Sequence, residues 1–552
     1  NTPAGRGILR SYQNNSKDTL RKIVLRNYPD FYRKDAMRDY YASDADEGDG
    51  LILDSVYVNG QLFSEKKIDR DLTLMKVFTN LAPNSSVTLK IVWHYTLNAG
   101  SHVRMGKIDE SSFFLAYFFP RIAVYDDMEH WDESQYAGKL EPYQDFDNFK
   151  VSVTVPRNFV VWCTGELQNA KDVFQDEVLK KFNEAHQSDE FIEIISSDDL
   201  KSNRVTANNE WNTYIYNAKN VTDVAFAVSD HYKWKAGSLY SRRNDRRIFL
   251  GAAFHESHTD FEEVPYFTRE TMRYMADSFP GVDYPYPTMT VVDGLDQMEF
   301  PMIINDNPLE DRAEAIELTI HEVLHTLLPF YTGCNQTRYA WMDEGWSTFS
   351  EWIISPMIDS TIYNSFGFPR MLRMSGQEWD VPLIVPSTEW NKSYSANAYS
   401  KPAFCFYYLR EILGKEVFNK CWQTFIQNWK GKHPTPWDFF YSFNTASGKN
   451  LNWYWKAWFY DSGEMDLKIV SAVAVRNEVT VVAEIKGKPV PLYISVFKEG
   501  KIIESLVKSP ELWQSGNRIS FKLKSEGDSL KISNSRVPDV NESDNVIRIL
   551  RK

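Results

Sequence analysis

The segment His321-Glu322-Val323-Leu324-His325 constrains the fold more than any other part of the chain. Two imidazoles can serve one metal ion only if they share a face, and a spacing of i and i+4 achieves that on an α-helix. Residues 311–328 are therefore predicted to be helical, with Pro329 closing the helix. Eighteen residues separate His325 from Glu344, which lies within Trp341-Met342-Asp343-Glu344-Gly345-Trp346. That spacing suits a third ligand from the start of a second helix, predicted over 344–354. Two neutral imidazoles and a carboxylate make a catalytic zinc set with a fourth position open for water. Glu322 can take that water's proton and hand it to a leaving amine. With ten histidines in the chain, a chance H-E-x-x-H is roughly a one-in-a-hundred event. Core histidines on an amphipathic helix are the bland alternative. The residues imply a zinc hydrolase, read first as a peptidase. Asp343 can orient a ligand histidine or cap the second helix, and the cap is the preferred reading.

The bulk composition narrows the classes. A chain of 552 residues, 43% hydrophobic and 25% charged, suits several folded domains with ample cores. A formal net charge of −13 argues against a nucleic-acid partner, which calls for a basic face. Cys163, Cys334, Cys405 and Cys421 are too few and too scattered for a disulfide framework or a thiolate zinc site. Cys405 and Cys421 could face each other across two helices, but buried free thiols are expected. No apolar run reaches the ~18 residues of a membrane span. No export signal is visible and the chain starts at Asn1. A processed, extracytoplasmic protein (periplasmic or secreted) is the expectation, with the cytoplasm left open.

Period-2 patterning dominates the first ~235 residues. Strands are predicted at 51–58, 86–93 and 149–155, with Asn59-Gly60 as a hairpin turn and a helical insertion over 172–186. From about Gly237 the pattern changes. Strands at 247–252 and 288–292 alternate with helices at 262–279, 311–328, 344–354, 402–413, 416–429, 436–445 and 453–460. Past Gly463 the strand pattern returns, at 478–483 and 492–496, with a turn at Glu499-Gly500. The last stretch suits a β-sandwich.

The H-E-x-x-H motif, eighteen residues and a glutamate together resemble the gluzincin aminopeptidases of the aminopeptidase N family, whose relatives include leukotriene epoxide hydrolase. Trp341-Met342-Asp343-Glu344-Gly345 is similar to that family's W-x-N-E-G, and Tyr399-Ser400-Lys401-Pro402 to its Y-x-K-G. Asp296-Gln297-Met298-Glu299-Phe300 stands in the place of its G-x-M-E-N. The resemblance covers most of the chain. It implies one Zn2+ per chain on His321, His325 and Glu344, with Glu322 as general base and acid. Tyr399 would stabilise the oxyanion, and Glu299 would receive the free α-amine of a peptide. It also implies a multidomain α and β architecture. A β-saddle occupies 1–236 with its first strands missing, a thermolysin-like catalytic domain 237–463, and a β-sandwich 464–552, with no large helical C-terminal domain. Asp296 replaces a glycine and Phe300 an asparagine, which leaves the specificity pocket open; Asp296 could favour cationic residues or face solvent. An endopeptidase or epoxide hydrolase on the same site, and a non-catalytic peptide-binding relative, are the alternatives. Peptides with a free N-terminus are the expected partners. The oligomeric state and the preferred N-terminal residue stay open.

Overall fold

Alternating apolar and polar residues build the N-terminal sheets. In Ser86–His94 every second side chain is buried, the period of a strand with one face in a core. This strand pairs antiparallel with Ala4–Gln13 and with Ile52–Val58. Asn59 and Gly60 turn the hairpin after Ile52–Val58 with φ of 50° and 79°, the left-handed pair that a tight two-residue turn requires. The strand expected at 149–155 is Asp147–Pro156, paired with Trp211–Val221. Ile23, Leu25, Met75, Leu89 and Trp93 meet in one apolar cluster, and Trp162, Tyr214 and Trp234 in another. The expected helical insertion is two short helices, Ala170–Val173 and Asp176–Ala185.

The structure is a computed structural model that describes residues 4–362, 367–534 and 536–552, with side chains from residue 12 onward. It is a multidomain arrangement of many sheets and several helices. The chain divides into two units, Asn1–Tyr274 with Asp283–Gly333, and Met275–Val282 with Cys334–Lys552.

In the first unit, a six-stranded mixed sheet carries the residues of interest. Its named strands are β1 (Arg246–Phe254), β2 (Thr288–Asp293), β3 (Met298–Phe300) and β4 (Ile303–Asp306). The order is Ile192–Ile195, Lys233–Ser241, β1, β2, β4, β3. β1, β2 and β4 run parallel, while β3 and β4 form an antiparallel hairpin that pairs Glu299 with Ile304. Helix α1 (Arg312–Leu324) follows, and Asp311 caps it by accepting from Ala313 N at 2.7 Å. The helix ends four residues earlier than the sequence predicts. Leu328 precedes Pro329 and lies in the extended region (φ −137°, ψ 121°), because proline's Cδ excludes a helical conformation from the residue before it. The ladder therefore loosens into a wide turn over Thr326–Tyr331.

In the second unit, helix α2 (Glu344–Ile358) and helix α3 (Lys401–Leu413) are joined by Lys415–Trp429 and Pro436–Ser447. Their seams are aromatic: Trp346 lies 4.3 Å from Trp422 and Phe439 4.3 Å from Phe443, centroid to centroid. Beyond residue 464 come two four-stranded sheets, with Glu499 and Gly500 (φ 51° and 76°) at the predicted turn. All four cysteines are buried free thiols. Among the described residues, no helix is long and apolar enough to cross a membrane.

Candidate active site

The sequence-predicted residues fall into two groups, one in each unit. In the first unit, α1 sets His321 and His325 one turn apart, with ring centroids 4.9 Å from each other. His325 is the residue after the last full turn, yet it keeps helical angles (φ −56°, ψ −19°), so the shared face survives the early end of the helix. His321 is half-buried and His325 buried. Between them in sequence, Glu322 is buried, and its Oε2 has no hydrogen-bond partner. Burial pushes its carboxyl well above the usual range; the two histidines oppose that shift, while Glu299 and Asp306 add to it. A buried carboxylate oxygen without a partner is costly, and beside two imidazoles it is placed for proton transfer.

Glu299 lies on β3, buried, with Oε1 4.0 Å from His325 Nδ1. Asp306, at the end of β4, is buried as well, and burial followed by Asp293 and Asp260 holds its carboxyl well above the ordinary value. No local sequence signal marks Asp306; the pairing of β2 and β4 sets it opposite Asp293.

The structure places both residues of the β3 segment that depart from the G-x-M-E-N pattern. Asp296 is half-buried and does not simply face solvent: its Oδ2 accepts the backbone N–H of Arg104 at 2.9 Å. Phe300 is a core residue, packed on Phe114 and Tyr117 at centroid distances of 5.4 and 5.6 Å. Strand alternation turns it to the face opposite Glu299.

In the second unit, Glu344 opens α2 between two buried anchors. Trp341 packs against Phe439, Phe440 and Phe459, and Trp346 against Trp422 and Phe279. Asp343 holds the N-cap position, but its side chain makes no capping hydrogen bond. Its angles (φ −93°, ψ −73°) lie outside the extended region that lets a cap side chain fold back, so the preferred cap reading fails. Tyr399 sits in a wide turn, Ala396–Ser400, that leads into α3, and its hydroxyl donates to Glu344 Oε1 at 2.6 Å. Arg370 stacks over the Tyr399 ring at 5.7 Å. Two residues on, the buried Lys401 donates to Asp380 Oδ1 at 2.8 Å and to Val381 O at 3.0 Å. Gly345 makes this approach possible: a Cβ there would run into the Pro402 ring.

The donor set fits zinc. Two imidazoles on one helix face and a buried carboxylate are borderline-soft and hard donors of the kind zinc takes in catalytic sites, and none is a thiolate.

Comparison with known proteins agrees with this chemistry. Residues 293–458 match the peptidase family M1 domain. A leukotriene A-4 hydrolase homolog of Botryotinia fuckeliana is 22% identical over 222 residues, 36% of this chain and 32% of that protein. Leucine aminopeptidase 2 of Sclerotinia sclerotiorum is also 22% identical over 222 residues, 36% of this chain and 34% of that one. The chain thus spans about a third of the length of the curated relatives it matches. The fold resembles the crystal structure of Legionella pneumophila aminopeptidase A in complex with aspartic acid, with a TM-score of 0.65 and 14% identity over 100% of this chain and 57% of that one. The match to the M1 domain runs through both groups of residues, so this part of the chain is similar to the M1 metallopeptidases.

Proposed function

We propose that the chain is a zinc-dependent aminopeptidase that hydrolyses the N-terminal bond of peptides. His321, His325 and Glu344 would hold the ion, which would supply Lewis acidity to polarise a carbonyl and to acidify water. The observation that carries the reading is Glu322: a buried carboxylate with an unpartnered oxygen, on the helix that presents two imidazoles on one face. Glu322 takes the proton of the attacking water and delivers it to the departing amine nitrogen. Tyr399 donates its hydroxyl to the carbonyl oxygen as negative charge builds there. Glu299 accepts the substrate's α-ammonium, which places the first peptide bond, and no later one, at the reacting centre. The finer architecture belongs to the same reading: a β-saddle to about 236, a thermolysin-like catalytic domain to 463, and a β-sandwich after it. An M1 domain over 293–458 and the two sheets beyond 464 support it.

The test is a panel of aminoacyl fluorogenic amides with free and acetylated amines, run with and without a chelator, beside metal analysis. Free-amine substrates should be cleaved and chelator should stop the reaction. Glu322→Gln should keep its metal and lose about 10²–10⁴-fold in kcat. Equal cleavage of acetylated substrates would replace this reading with an endopeptidase. A protein that takes up no zinc would be a binding relative.

A further inference from the structure

The departure at Asp296 traces to one loop, residues 98–106. Arg104 in this loop has φ +59°, a region that residues with a Cβ seldom adopt. Its N–H donates to Asp296 Oδ2 at 2.9 Å, just ahead of β3. Asn98 Nδ2 ties the loop internally, donating to Met105 O at 2.7 Å. His102 Nε2 lies 2.9 Å from Asn305 Nδ2 on β4, so the imidazole accepts. The loop therefore grips the β3–β4 hairpin before its first strand and within its second, and Glu299 stands between the two grips.

The Arg104 guanidinium is buried. Its Nη2 donates to Lys139 O at 3.0 Å and to Glu141 Oε1 at 3.2 Å, while Nη1 has no partner. Burial opposes its charge, and that penalty is outweighed by Tyr136, Glu141, Tyr117 and Glu299. A glycine at 296 would supply no acceptor for the Arg104 amide.

We propose that Asp296 and Arg104 are positioning residues of the amine subsite: Asp296 locks the loop onto the β3–β4 hairpin that carries Glu299, and the Arg104 guanidinium pins the loop to Lys139 O and Glu141. The proposal rests on the aminopeptidase reading. It assigns Asp296 a hydrogen-bonding task, not a charge-selecting one.

Asp296→Gly, Asp296→Asn, Arg104→Gln and Arg104→Lys separate the possibilities, because Asn keeps an acceptor oxygen and loses the charge. The measurements are KM and kcat on alanyl and lysyl coumarin amides, and amide hydrogen exchange across residues 98–106. Asp296→Gly should raise KM about tenfold on both substrates, the cost of one lost hydrogen bond, with kcat within about twofold and faster exchange at Arg104. Asp296→Asn should restore both readouts. Arg104→Gln should raise KM for free-amine substrates, and Arg104→Lys should recover part of that loss. If Asp296→Asn instead loses activity on the lysyl substrate alone, Asp296 is a substrate-facing carboxylate and the proposal falls. Unchanged exchange in Asp296→Gly also overturns it. Should the wild type cleave no free-amine substrate, the aminopeptidase reading fails while the exchange data still decide the clamp.

Discussion

Tyr399 shows what a single residue can and cannot announce. Among 30 tyrosines it has no distinguishing composition or periodicity, and only the resemblance of its surroundings to Y-x-K-G selects it. The structure adds a contact that sequence spacing could not supply, its hydroxyl on Glu344 Oε1 at 2.6 Å. A donor that acts only as negative charge builds contributes to the rate more than to binding. Tyr399→Phe should therefore lower kcat by about 10²–10³-fold, with KM within a few-fold and zinc content unchanged, as steady-state kinetics and metal analysis would show. A large rise in KM with kcat intact would remove Tyr399 from the oxyanion role. Glu322 was legible from its place in the motif. Asp296 was not, because the partner that occupies it, Arg104, is 192 residues away.

At the scale of elements, the helices that carry the site were readable from periodicity and punctuation, while their ends were not. Helix α1 stops at Leu324 because Leu328 must be extended before Pro329, a backbone effect stronger than the apolar pattern that runs on to Leu328. Helix α2 starts at Glu344 as expected but reaches Ile358, with Pro356 inside it; in its second half Trp352 packs on Phe404 of α3 at 5.1 Å, tertiary packing that local propensity does not report. The close seam between α2 and the turn before α3 depends on Gly345, which leaves no room for a Cβ beside Pro402. Gly345→Ala should force this seam apart, costing about 1–3 kcal/mol as an overpacking change. It should also separate Tyr399 from Glu344, so activity should fall further than the melting temperature alone implies. Calorimetry beside kinetics checks both; an alanine variant with native activity would mean the seam yields without moving Tyr399.

At the scale of the whole molecule, stability is tied to pH by contacts that join distant segments. His231 meets Asp109 through Nε2 at 3.1 Å and Asp230 through Nδ1 at 2.8 Å. The Asp109 hydrogen bond, against partial burial and with help from Asp230, raises its pKa from 6.5 to about 9. A raised histidine pKa means the folded state holds its proton longer than the unfolded chain does. This stabilisation is complete below about pH 6.5 and is lost as pH climbs through about 9. The melting temperature should decline across that window, less steeply in high salt. His231→Asn should flatten the decline, and an unchanged slope would assign it to another group. Nothing around His231 in the sequence foretells this, because Asp109 lies 122 residues away. The division between sequence and structure has the same physical origin throughout. The sequence by itself determined what depends on neighbours along the chain: the helix that puts His321 and His325 on one face, the turns at Asn59-Gly60 and Glu499-Gly500, and the zinc-type donor set. Only the tertiary structure decided what depends on distant partners: the carboxylate that Tyr399 touches, the task of Asp296, the burial of Glu322 and the charge around Glu299. Hydrogen bonding and desolvation act through space, and they set the chemistry of a side chain only after the fold has chosen its neighbours.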